Sequence, residues 1–359
     1  MTEKPKAIEF PQDELAHDHI IEWWYFNGRL KDKDGGEYAF MNCLFRADVK
    51  KVKIPFLEKI PFKIIYFYHS IISDITHKKS YPTVELATIV SNDSFSKPLL
   101  FINHTNPIVI TGYTNRVIEE TKKFTYHIKD KDMDIVLTSV KNPLLEGGTG
   151  FLDLKTKTTY YYSLTNLKTE GKIKIKDEWI EVSGKSWMDH QWANTAYSKE
   201  KWTWFSIQLE HNVEMVCFEY ENAGTINRLA SISHANGTQE DFTDIIFTPL
   251  GETWKSPKTE ALYPLAWNIR IPEKNIDINA KALIQEQEMI FGSINYWEGP
   301  VAVTGTWNGK TVKGDGFMEL EGYPSNYTNT KFIKDELESR IGEALAYTKK
   351  MLGQNPKKE

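Results

Sequence analysis

The chain is nearly devoid of cysteine. Cys43 and Cys217 are the two it contains, and neither stands at the close spacing to a second thiol or histidine that a zinc or redox site requires. It lacks a positive balance as well: 44 Lys and Arg against 49 Asp and Glu leave a net charge of -5, which supplies no electrostatic footprint for nucleic acid. Long apolar runs are missing. The longest, around Ile64 to Tyr68, falls far short of a membrane span. Met1 to Ala7 carry no apolar segment of the secretory kind. These absences lead to the expectation of a cytoplasmic protein with no integral membrane segment and no nucleic-acid partner.

Two common catalytic loops are absent too. Gly184-Lys185-Ser186 looks like the end of a phosphate-binding loop but has no first glycine at the required distance. No Gly-x-Ser-x-Gly nucleophile elbow occurs. Nucleotide hydrolysis and serine hydrolysis are thereby disfavoured.

Aromatic residues are what the chain has in excess: 11 Trp, 17 Tyr and 18 Phe. Such side chains favour strands and line pockets for apolar ligands. Short alternating segments dominate, among them Glu37 to Phe45, Tyr160 to Leu164, Trp202 to Leu209 and Val213 to Phe218. Hairpin turns are signalled at Asp34-Gly35-Gly36, Asn236-Gly237 and Asn308-Gly309. A helix is expected from Asp335 to Leu352, where Leu337, Ile341, Ala344, Leu345, Thr348 and Leu352 recur at helical spacing. Trp23 to Leu30 lines up with Trp202 to Leu209, each followed by a turn and a strand opening on glutamate. That repeat predicts two related β-domains. The expected division is 1–184, 185–330, and a helical tail over 331–359, with the boundary near Val182 to Trp187.

The densest candidate segment is Ser183 to Trp192, where Asp189 and His190 sit between the indoles of Trp187 and Trp192. Aromatic walls desolvate, raising carboxyl pKa values and lowering those of histidine, which is how acid–base groups are tuned. The competing reading is a structural corner. His17 and His19 could share a metal from one strand face, but no further ligand stands nearby in sequence, and turn-bonding histidines are the expectation. Glu22 beside Trp23 and Trp24 reads as a strand-edge charge or a buried acid. Glu298 follows an aromatic pair and can point into a pocket. Glu319 and Glu321 share a strand face, where exposed carboxylates are commoner than a catalytic pair.

Taken in order, Glu22 to Gly28, Tyr160 to Thr165, Gly184 to Trp192, Tyr296 to Gly299 and Gly316 to Tyr323 resemble one family. The chain is similar to the AttH and carotenoid 1,2-hydratase (hydroxyneurosporene synthase) group, across nearly its whole length. The resemblance implies an all-β fold of two tandem lipocalin-like β-barrel or sandwich domains with a C-terminal α-helix. It also implies a cofactor-free, metal-free enzyme, a hydratase or cyclase of hydrophobic isoprenoid or polyene-like precursors. The alternative is a lipocalin-like carrier that holds an apolar molecule unchanged. His190 and Trp192 match the family's His-x-Trp element. Glu219, in a strand Val216 to Tyr220 whose residue order departs from the family's, is a candidate acid, and Asn166 stands where an arginine is often found. The expected catalytic groups are His190, Asp189 and Glu219. The expected substrate-binding groups are Trp23, Trp24, Tyr25, Trp187, Trp192, Trp204, Tyr220, Trp297 and Glu298, with the ligand face around Trp23, Tyr25, His190, Trp192 and Trp204.

Overall fold

The computed structural model describes residues 5–52, 62–96, 98–106, 115–195, 200–292, 294–335, 337–338 and 341–342. Alternating sequence becomes strand nearly throughout, and the strands divide into two large antiparallel sheets. The first is a closed barrel of ten strands. It starts with Ile21–Lys31, Glu37–Asp48, Ile64–Asp74 and Lys79–Val90, and continues through Phe101–Thr105, Asn115–Lys122, Thr125–Lys129 and Met133–Ser139. Thr158–Ile175 then pairs with Met133–Ser139 on one side and Glu178–Ala193 on the other. Glu178–Ala193 returns to Ile21–Lys31 and shuts the ring.

The second sheet gathers Lys201–Leu209, Val213–Asn222 and Thr225–Ser233 with Ile276–Ala282, Ile294–Trp307 and Lys310–Glu321, among shorter strands. It wraps one apolar core that includes Phe205, Ile207, Trp267, Trp297 and Met318. The hairpins expected from sequence form. Asn308 and Gly309 both take positive φ, 49° and 75°, the backbone a two-residue turn needs to match strand twist.

The expected division at residue 184 falls within a single strand. Glu178–Ala193 belongs entirely to the first barrel, so the chain crosses between sheets after Ala193 and before Lys201. A strand end carries no compositional mark when both its faces are buried, as they are from Ser186 to Ala193. The helix begins earlier than its pattern suggested, at residue 329. Ala344, Leu345, Thr348 and Leu352 lie outside the described residues. Among the described residues no helix is long and apolar enough to cross a membrane.

Strand alternation gives each sheet a second use. In Ile21–Lys31, Trp24, Phe26 and Leu30 fill the barrel, while Tyr25 joins a separate apolar cluster with Met41, Cys43, Trp187, Trp204, Phe218 and Phe317. That cluster lies between the two sheets. Asn166 Nδ2 donates to Glu214 Oε1 at 2.8 Å across the junction. Lys141 is ion-paired with the same, fully buried Glu214. Gln208 Nε2 donates to the carbonyls of Thr165 (2.7 Å) and Ser186 (2.9 Å).

Removing one member of a buried pair strands the other charge. Lys141→Met should therefore cost about 3–5 kcal/mol, read as a lowered urea midpoint, and adding Glu214→Gln should recover part of it. A midpoint unchanged by Lys141→Met would show that the pair does not hold the junction.

Candidate active site

Every second residue of the junction strands points between the sheets, and there a cavity of about 190 Å³ opens. Ile21–Lys31 contributes Trp23 and Tyr25, Glu178–Ala193 contributes Asp189, and Lys201–Leu209 contributes Trp202 and Trp204. Phe45, Phe67 and Phe291 stack as a ladder along one wall, with centroids 4.6 and 4.8 Å apart. The lining is rich in aromatic rings, yet it also holds Glu298, Glu319, Glu321 and His69.

Glu298 and Glu319 face each other across neighbouring strands. Glu298 is 1% exposed, and its side chain bonds to that of Glu319. Burial first, then the facing Glu319, holds its carboxyl well above the usual range. Burial and the charge of Glu321 push Glu319 the same way. Ionising both the buried Glu298 and the half-buried Glu319 that faces it is costly, so a single proton held between them is the cheaper state. The phenol of Tyr25 donates to Glu298 Oε1 at 2.8 Å. Asn27 Nδ2 donates in turn to the Tyr25 oxygen at 3.0 Å. Glu321, further along the same strand face, is pushed up to about 7 by burial and then by Glu200. Sequence spacing had put Glu319 and Glu321 together but expected them in solvent; the second sheet's docking on the barrel is what covers them.

Asp189 stands on the opposite wall. It accepts from Tyr161 Oη (2.7 Å), Ser163 Oγ (2.5 Å) and Trp187 Nε1 (2.5 Å). Trp204 Nε1, from the second sheet, donates to the Tyr161 oxygen at 2.9 Å. Burial pushes Asp189 up to about 7 although three donors oppose it. His69 lies 2.5 Å from the Tyr296 oxygen through Nδ1, while its buried Nε2 has no hydrogen-bond partner. Desolvation pushes it down to about 3, so it is a neutral imidazole. Nothing in the segment Tyr66 to Ser70 marked His69 from sequence, since a lone histidine in a strand has no pattern.

Period two separates residues that sequence reasoning had grouped. Asp189 faces the cavity, but His190 and Trp192 point the other way, into the end of the first barrel with Trp24. His190 Nε2 meets Glu22 Oε1 at 3.0 Å, and His17 Nδ1 meets the same oxygen at 2.6 Å. His17 also stacks on Trp192 at 3.9 Å. Glu22 is thus a fully buried acid rather than a strand-edge charge. His17, Glu22 and His190 bring donor atoms within 4.8 Å of one another, close enough to hold a metal ion. The carboxylate already accepts from both imidazoles and from the His17 backbone N–H at 2.9 Å, which satisfies it without one.

The remaining expected site residues scatter. Trp187 holds Asp189 from the junction core. Tyr220 lies in that core and bonds Thr156. Trp297 faces the interior of the second sheet, its Nε1 donating to the Gln285 carbonyl at 2.7 Å. Glu219 is outside the cavity, paired with Arg228 at 2.6 Å. Trp23, Tyr25, Asp189, Trp204 and Glu298 are brought together around one space.

Known proteins share this architecture. Dehydratase asqC of Emericella nidulans is 25% identical over 312 residues, covering 83% of this chain and 84% of that one. The crystal structure of a protein assigned as AttH from Nitrosomonas europaea superposes with a TM-score of 0.70 at 26% identity, covering 89% of this chain and 98% of the other. Kievitone hydratase from Nectria haematococca shares the fold with a TM-score of 0.66 at 18% identity, over 88% and 93% of the two chains. The AttH-like family pattern matches residues 1–323. With the match running from the first residue to the end of the second sheet, the chain belongs to the AttH-like family.

Proposed function

We propose that the protein is a hydro-lyase that adds water to, or removes it from, a hydrophobic alkene or alcohol held between the two domains. The observation that carries this reading is the facing carboxyl pair Glu298 and Glu319, set with Asp189 and Glu321 in a cavity rich in aromatic rings. A relative at 25% identity is a dehydratase, which supports the reaction class. The isoprenoid or polyene nature of the substrate is supported by the aromatic lining alone.

The chemistry asks for one acid and one base. In the hydration direction a protonated carboxyl gives its proton to one alkene carbon, and the π electrons form the new C–H bond. The cation left on the other carbon faces indole and phenol rings, whose quadrupoles lower its energy. Water attacks that carbon, forming C–O, and its surplus proton goes to a carboxylate. Dehydration runs the same steps backwards. Carboxyls poised near neutral pH suit both roles, because each can hold or release its proton at little cost. Tyr25 fixes the orientation of Glu298, and exclusion of bulk water strengthens the electrostatic contacts.

Glu298→Gln should keep the shape of the cavity and remove the proton. It should lower kcat by about 10²–10⁴ while an apolar ligand still quenches tryptophan fluorescence. Incubation of a panel of isoprenoid alkenes in D2O reads the outcome as deuterium placed on carbon. Ligand binding by the wild-type chain without any label incorporation would overturn the hydro-lyase reading in favour of a carrier.

Burial also predicts a pH dependence of stability. Glu321 holds its proton to about pH 7, whereas unfolded carboxyls release theirs near about pH 4. Between those values the folded chain binds more protons, so stability falls as pH rises through this window and the fall ends above the folded value. Glu321→Gln should therefore reduce the drop in Tm between about pH 5 and about pH 8. An unaltered slope would contradict its buried, protonated state.

A further inference from the structure

One buried acid takes no part in the chemistry above. Glu146 opens the short 3-10 turn Glu146–Gly148 and is fully buried. Its Oε1 lies 2.7 Å from Ser163 Oγ, and the same Oγ lies 2.5 Å from Asp189 Oδ1. A serine hydroxyl has one proton and donates to one acceptor at a time. Were both carboxyls ionised, one contact would press an oxygen lone pair against an anion where burial already disfavours charge. The three groups therefore hold an acid proton among them.

Hydrogen-bond counting places it. Asp189 already receives the Tyr161 phenol and the Trp187 indole N–H, which favour its charged form. Glu146 Oε2 has no hydrogen-bond partner, and the nearby Ser231 hydroxyl gives its proton to Asp241 Oδ1, so an ionised Glu146 would leave an anionic oxygen unanswered. The proton rests on Glu146 Oε1 and is donated to Ser163 Oγ, whose own proton is donated to Asp189 Oδ1. The titratable neighbours of this chain are acids: Asp241 beside Glu146, and Tyr25, Glu298 and Glu319 on the cavity side of Asp189. Their field favours retention of the proton.

We infer that Glu146 is the proton store of the cavity, recharging Asp189 through the Ser163 hydroxyl. This rests on the hydro-lyase reading for its use, though not for its geometry. In the transfer the Ser163 O–H bond breaks as Asp189 Oδ1–H forms, and the Glu146 O–H bond breaks as a new Ser163 O–H forms. Asp189 then holds the proton at the cavity wall and Glu146 is left as a carboxylate; the return journey reverses both steps. Glu146 touches no substrate in this scheme. It acts through Asp189, as a positioning residue for a proton.

Infrared difference spectra of the intact chain, taken between about pH 5 and about pH 9, read protonated carboxyls directly. Glu146→Gln should delete one protonated-carboxyl band that Glu298→Gln leaves in place. Ser163→Ala should keep that band and move it to higher frequency, because the acid loses its partner. In turnover, Glu146→Gln should move the alkaline limb of the pH profile down by about one unit, roughly a tenfold loss on that side, with KM at the optimum unchanged. A band unaffected by Glu146→Gln overturns the store, as does a lost band with an unmoved alkaline limb. If the bands behave as expected while no alkene is turned over, the hydro-lyase reading fails and the proton store stands.

Discussion

The organisation of this protein depends on strands of the first barrel being buried on both faces. A barrel wall ordinarily turns one face to its core and the other to water. Here the outer face of Trp23–Leu30 and Ser186–Ala193 meets a second sheet, so the residues along these stretches alternate between two interiors. The inner set, with Trp24, Met188 and His190, packs the barrel. The outer set, with Tyr25, Trp187 and Asp189, builds the junction. Because side chains alternate at a period of two, a register slip of one residue would exchange the two sets. The long pairing registers on both flanks of Ile21–Lys31 prevent this.

Docking of the second sheet converts ordinary strand carboxylates into acids. Glu298, Glu319 and Glu321 belong to the second sheet and Asp189 to the first, and removal of water from all four is the leading cause of their raised pKa values. Charge repulsion within a confined group then makes proton sharing cheaper than full ionisation. Acidity and enclosure thus have one origin. An apolar substrate would find aromatic faces and undissociated acids in the same space, whereas either sheet alone would offer solvated carboxylates.

The architecture was largely readable from sequence, because alternation, turn residues and the repeated aromatic hairpin are local signals. Asn308-Gly309 announced its turn, and five ordered motifs carried the family. The site was readable only in part. Trp23, Tyr25, Asp189, Trp204 and Glu298 were singled out and share the cavity. His190 and Trp192, grouped with them by adjacency, fall on the other face, and a stricter use of the strand period would have divided Asp189 from its neighbour. Glu319 and Glu321 looked like solvent-facing charges because nothing local records that another domain covers them. His69 and Glu146 owe their settings to long-range packing, Glu146 to contacts with Ser163 and the 225–242 region, and no sequence pattern could have carried that information.

The central claim is that the reaction space lies between the sheets rather than inside the first barrel. A crystal structure of the protein with an apolar ligand recovered by native mass spectrometry tests it most directly. The account predicts the ligand against Trp23, Trp202 and Tyr296, within reach of Glu298 and Asp189. A ligand seated instead inside the barrel beside His190, Trp192 and Trp24 would contradict it.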